Sequence, residues 1–163
     1  MKNIFLSLTL LFVLQCSFAQ VTYYKGEWTK AKNQDLFTGI FKITMNSAGK
    51  AKAQIIWTYR AIDSTNIDLV EMYKNKKGKS GIEYVKGFFS ANTHNFYFEG
   101  VKKYDPYTIL GLEKYHLKLA ANKQVIYGTT ETEGTNEGLL YAVKLNYATG
   151  KKMFTSAKAK IRK

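Results

Sequence analysis

The stretch Glu113–Glu133, EKYHLKLAANKQVIYGTTETE, carries two alternating runs joined by a polar turn. Tyr115, Leu117 and Leu119 fall on one face, and Lys114, His116 and Lys118 on the other. A period of two with one apolar and one basic face marks a half-buried antiparallel strand. Ala121-Asn122-Lys123 supplies the turn, since Asn tolerates the left-handed backbone that a tight turn needs. The return run, Val125 to Thr132, is rich in β-branched residues and contains Gly128. A glycine inside a strand implies a bend, a bulge or a close backbone approach. The hairpin holds no proline and shows no helical period.

The same pattern extends in both directions. Upstream, Tyr23–Thr29 and Leu36–Met45 read as strands, followed by NSAG turn chemistry at 46–49. In Lys50–Ala61, Ala51, Ala53, Ile55, Trp57 and Tyr59 share one face, while Lys50, Lys52, Gln54, Thr58 and Arg60 share the other. Ile56 is the apolar exception on that polar face. From Asp63 to Lys79 the period changes. Thr65 and Asp68 form a capping-box variant, and Leu69, Met72 and Tyr73 follow at helical spacing. This segment reads as a short helix or an irregular loop, able to cover one end of a barrel. Strands resume at Gly81–Ala91 and Asn95–Lys103, and Asp105-Pro106-Tyr107 turns the chain into the hairpin. Leu139–Asn146 follows. After Tyr147, Ala157, Ala159 and Ile161 alternate with Lys158, Lys160 and Arg162, giving either a ninth strand or a basic tail. The expected fold is all-β: an eight- to nine-stranded antiparallel up-and-down β-barrel with a short helix or loop after strand 3. Closure of such a meander removes its exposed edges.

At the other extreme, MKNIFLSLTLLFVLQCSFAQ has the form of a secretory signal. Lys2 precedes an apolar run from Ile4 to Leu14, and Ser17 and Ala19 are small residues placed for cleavage after Ala19. The run is too short for a membrane span, and no second one follows. The expected organisation is a signal peptide over 1–19 and a single barrel domain over 20–163 with a basic C-terminal segment. Cys16, the chain's only cysteine, would leave with the signal; Gln15 is not the small residue that a lipoprotein signal wants before it. The expected location is periplasmic or extracellular, without disulfides or thiolate metal sites. The chain carries +13 over 163 residues; loss of Lys2 leaves 24 basic against 12 acidic residues. Such a balance favours anionic partners. In an exported protein these would be an anionic glycan or an envelope surface rather than nucleic acid.

Gly26-Glu27-Trp28, opening an eight-strand meander, resembles the Gly-x-Trp start of the calycin barrels, the lipocalins and avidins. Gly128-Thr129-Thr130-Glu131 is similar to a short piece late in the avidin family. The resemblance implies a calycin-like barrel with Trp28 as a structural plug at one end. It does not extend to biotin binding, because no tryptophan follows Trp57, nor to the lipocalin disulfide.

The remaining motifs bound the chemistry. His94 lies in a turn and His116 on an outward strand face, so they do not form a metal-ligand pattern. Glu131 and Glu133 sit two apart on one face with no partner group in view, and Glu99 and Asp105 are similarly isolated. The glycines of 76–81 (KKGKSG) lead into a strand rather than a helix, unlike a phosphate loop. No nucleophile or zinc-protease signature is present, and nothing calls for a cofactor. Aromatic residues make up 15% of the chain. Trp57, Tyr59, Tyr84, Phe98 and Tyr115, with Phe88 and Phe96, are expected inside or at the mouth of the barrel. They either line a ligand pocket or fill the interior. Outward tyrosines such as Tyr97 and Tyr127 could stack on sugar rings. The sequence therefore favours a non-enzymatic exported barrel that binds a small apolar molecule inside or an anionic glycan outside. The alternative is a cell-envelope structural or interaction protein with a filled core and a basic surface.

Overall fold

The computed structural model describes residues 19–30, 36–61, 67–132 and 138–161, with side chains at all of these except 67–69 and 72. The signal segment up to residue 18, Thr65 of the capping box and Glu133 lie outside that set. Eight strands run in chain order: β1 (Gln20–Lys30), β2 (Leu36–Met45), β3 (Lys50–Ala61), β4 (Ser80–Ser90), β5 (Asn95–Tyr104), β6 (Lys114–Leu119), β7 (Val125–Glu131) and β8 (Gly138–Leu145). Each pairs antiparallel with its sequence neighbours, and β1 pairs with β8 from Tyr23↔Leu145 to Lys30↔Gly138, closing the barrel. Every strand therefore has a partner on both sides.

Alternation sorts the side chains as a closed sheet requires. The inward set includes Tyr24, Phe41, Ile43, Ile55, Trp57, Val85, Phe96, Phe98, Tyr115, Leu117, Ile126 and Leu140, all buried in one cluster. Gly39 faces Trp57 across β2 and β3, and a Cβ there would collide with the indole ring. Gly128 interrupts no register. A side chain there would strike the His116 carbonyl, so of the three roles open to it the close backbone approach is the one observed. Register shifts lie elsewhere: in β5 Tyr84 pairs with Lys102 but Val85 with Gly100, leaving Val101 as the extra residue, and in β3 Leu36 pairs with Ala61 but Phe37 with Tyr59, leaving Arg60.

The two barrel ends differ. One is closed by the short turns at 46–49, 91–94 and 120–124, where Gly49, His94 and Lys123 take positive φ. The other carries longer connections. A helix, α1 (Ile67–Lys74), follows β3, and the loop at 105–113 joins β5 to β6. Tyr73 of α1 packs on Tyr59, 5.3 Å between ring centroids.

The C-terminal segment is neither a ninth strand nor a tail. It forms a second helix, α2 (Tyr147–Ile161). Asn146 caps it, its Oδ1 accepting the Ala148 and Thr149 N–H groups at 2.9 and 3.5 Å. Its buried residues, Gly150, Phe154 and Ile161, recur at helical spacing. That stripe outweighs the Ala-Lys alternation, whose residue types are good helix formers. The helix lies on the outside of the barrel, where Phe154 and Ile161 join Tyr23, Ile56 and Ile82 in a second buried cluster. A Cβ at Gly150 would meet the Tyr23 side chain, so glycine sets how closely the helix sits on β1. Ile56, the apolar outlier on the polar face of β3, is thus the floor beneath α2. Lys158 reaches Gln54 at 3.0 Å beside it. Among the described residues, no helix is long and apolar enough to cross a membrane.

Replacing Phe154 with Ala should cost about 3 kcal/mol, as for a buried phenylalanine. Urea unfolding checks this, and a change below about 0.5 kcal/mol, the size of an ordinary surface substitution, would mean that α2 contributes little to the barrel.

Candidate functional site: the open end of the barrel

The interior is filled toward the short-turn end. Phe96 and Phe98 stack with ring centroids 5.5 Å apart, and Phe41 meets Trp57 edge-on at 5.2 Å. At the long-loop end the packing opens into a cavity of about 270 Å³, just below the usual size range for small-molecule sites. Trp28, Phe37, Trp57 and Tyr73 form aromatic walls, while Ile109 and Leu110 of the 105–113 loop form a lip.

That loop is folded by Asp105, whose Oδ2 accepts the N–H groups of Ile109 and Leu110 at 2.8 and 2.7 Å. Lys103 Nζ donates to the Leu110 carbonyl, and Lys76 Nζ donates to that of Thr108 at 3.1 Å. Thr108 holds φ at 53°, a costly conformation for a β-branched residue, at the cavity rim. Asp105, an isolated acid in the sequence, is therefore the residue that bends the lip.

The floor is a carboxylate. Glu83 is 1% exposed and points inward from β4. Its Oε2 accepts the Trp57 indole N–H at 3.1 Å and the Tyr115 hydroxyl, and its Oε1 accepts the Glu113 backbone N–H at 3.1 Å. Gly100 leaves room for it, since a Cβ there would press on Oε1. Burial pushes the carboxyl up from 4.5 to about 7, outweighing the three donated hydrogen bonds, and the charge of Glu113 acts in the same direction. Glu113 also lines the cavity. Its carboxyl is raised mainly by burial, against the opposing effects of the Thr132 hydroxyl and the Lys30 ammonium. The Tyr115 hydroxyl is raised by burial and by Glu83. Trp28, half-buried, donates its indole N–H to Thr130 Oγ1 at 2.7 Å and meets Phe37 edge-on at 5.4 Å. It stands at the mouth as a wall of the cavity.

The aromatic residues expected at the site divide. Trp57 and Tyr115 meet on one carboxylate. Tyr59 is buried at the same end, against Phe37 and Tyr73. Phe98 belongs to the filled interior. Tyr84 and Phe88 face outward, which corrects their expected place inside. Tyr84 is half-buried beside Ile56 and Ile82 in the cluster that α2 covers, and Phe88 is exposed. Glu99, His94 and Glu131 are exposed, and none of them lines the cavity. Among the described residues, no group of three His, Cys, Asp or Glu side chains is placed to hold a metal ion.

Glu83 was hidden because both faces of GIEYV look apolar: Ile82 and Tyr84 serve the α2 interface while Gly81 and Val85 serve the interior. The available signal was parity. Glu83 shares its alternation with Val85, Gly87 and Phe89, which makes it a charge on an inward row. Compared with known proteins, the chain matches no family model, no curated protein sequence and no solved structure.

The folded protein keeps the Glu83 proton up to about pH 7, whereas the ordinary value is 4.5. Between those limits the folded state binds more protons, so stability falls as pH rises and levels off above the folded value. The gap corresponds to on the order of 3 kcal/mol, and Glu113, shifted the same way, adds to the slope. Glu83→Gln should flatten the profile measured by urea unfolding from pH 4.5 to 8. Equal slopes for the two proteins would contradict a buried, titrating Glu83.

Proposed function

We propose that the protein is a small-molecule binding barrel, with its site at the open end rather than along the barrel axis. The observation that carries this reading is the cavity itself: aromatic walls converging on a buried carboxylate that already accepts three hydrogen bonds. A site of this kind is mostly apolar, with a few placed polar groups that orient the ligand. The filled interior below the cavity limits the ligand to something small and compact. Trp28 and Trp57 are the chain's only tryptophans and both line the cavity. Their indole N–H resonances therefore report on the mouth alone. A screen of small amphipathic compounds by ¹⁵N NMR should yield binders that shift both signals. Binders that consistently leave both indoles unmoved would place the site elsewhere.

A second reading, recognition of an anionic glycan in the envelope, rests on a different surface. On the outer face of β3–β6, Phe88 stacks on Tyr97 at 4.9 Å, with His116 edge-on to Tyr97 at 5.7 Å. Lys50, Lys52, Lys86 and Lys114 frame these rings. Exported location and a calycin relationship remain part of this proposal. Retention on a dextran sulfate matrix should fall steeply with salt, and Lys86→Glu with Lys114→Glu should elute earlier than the wild type. Salt-insensitive retention, or retention unchanged by the double substitution, would remove this reading.

A further inference from the structure

The charges at the mouth do not balance. Three charged groups line the cavity itself: the carboxylates of Glu83 and Glu113, and the ammonium of Lys30. On the lip, Lys76 lies 4.6 Å from the centroid of the Tyr73 ring and donates to the Thr108 carbonyl, and Lys103 donates to the Leu110 carbonyl, so both ammonium groups are engaged outside the lining. Lys30 acts on Glu113, whose carboxyl its charge favours in the ionised form. Glu83 has no such cation. Its partners are neutral donors, the Trp57 indole, the Tyr115 hydroxyl and the Glu113 N–H. With all three groups ionised the cavity carries one net negative charge, on a chain whose total is +13. A buried carboxylate without a cation is costly, and a cation delivered by a ligand offsets that cost. The walls suit such a ligand as well, because Trp and Tyr ring faces attract organic cations, most strongly when water is excluded.

Resting on the small-molecule reading above, we propose that the mouth selects a compact organic monocation: an aromatic or aliphatic body carrying one protonated amine or quaternary ammonium group. The ammonium lies toward Glu83, on the Trp57 and Tyr115 side. The apolar body contacts Trp28 and Phe37 under the lip formed by Ile109 and Leu110. Lys30, at the opposite pole of the charge set, disfavours a second positive group and so selects against dications. Beyond the lip, where Lys76 and Lys103 are held by the Thr108 and Leu110 carbonyls, an anionic ligand meets two carboxylates against one ammonium and is disfavoured.

The selectivity responds to pH. Cation binding draws Glu83 into its charged form, so affinity rises from pH 6 to pH 8. Glu113 and Tyr115, which face Glu83, and Lys30, which faces Glu113, set the background. Glu113 acts in the same direction as Glu83. Tyr115, raised above its ordinary range, keeps its proton throughout.

The test uses phenethylammonium chloride, neutral 2-phenylethanol and sodium 3-phenylpropanoate as probes, by isothermal titration calorimetry on the full barrel at pH 8. The cation should bind at least about tenfold tighter than the neutral alcohol, the scale of one ion pair with a cation–π contact, and the anion should not bind. Glu83→Gln should abolish the preference while still binding the alcohol. Glu113→Gln, at a more exposed position, should reduce the preference and serves if Glu83→Gln fails to fold. If cation and alcohol bind equally at the indoles, the pocket stands and the cation class falls. If none of the three probes binds, or binding leaves the indole N–H signals unmoved, the pocket reading falls as well. Tighter binding of the anion would overturn the charge argument outright.

Discussion

Pairing of β1 with β8 is the constraint on which the rest of the structure depends. Once the sheet closes, each residue on a strand has a fixed side, interior or exterior, and no edge remains to absorb a misplaced side chain. The interior of an eight-stranded barrel is just wide enough to be filled by side chains, and here it is filled over most of its length. What remains open is the end where the connections are long. Toward the short turns the interior is packed with side chains. The long-loop end has α1, the lip at 105–113 and the charged side chains between them. The bulge at Val101 sits on this side of β5, next to Gly100, where the strand makes way for Glu83.

A second consequence of closure is that the exterior must also be managed. Tyr23, Ile56 and Ile82 form an apolar patch on the outside of β1, β3 and β4, and α2 covers it. This one device explains three oddities of the chain: the isoleucine on a polar strand face, the double-sided apolar pattern of β4, and a basic C-terminal segment that nonetheless carries Phe154 and Ile161. Among the described residues, Phe88, Tyr127, Leu139 and Tyr141 are exposed elsewhere on the exterior.

Most of the architecture was legible in the sequence because half-buried strands state their register in every second residue. The hairpin from Glu113 to Glu133, the clean alternation of β3 and the turn chemistry at 46–49 locate strands that the structure reproduces within a few residues. The C-terminal helix was not legible as such, since its Ala-Lys alternation satisfies a strand pattern as readily as its Gly150–Phe154–Ile161 stripe satisfies a helical one. Only the covering of Ile56 decides between them, and that is a tertiary fact. At the site, the alternation of β3 and β6 marks Trp57 and Tyr115 as interior aromatics. The carboxylate that joins them is not marked in this way, because its inward parity is visible only once the outward apolar residues of β4 have been assigned to another interface. Asp105 reads in the sequence as an isolated acid that opens a turn; its task of folding the lip depends on two backbone N–H groups that no pattern announces.

The central claim is that the open end holds a ligand while the rest of the barrel is packed. Native mass spectrometry of the protein purified gently from its own host tests it most directly. The account predicts a reproducible added mass of small-molecule size, released on denaturation. A bare mass for the wild type under conditions that preserve the fold would contradict it.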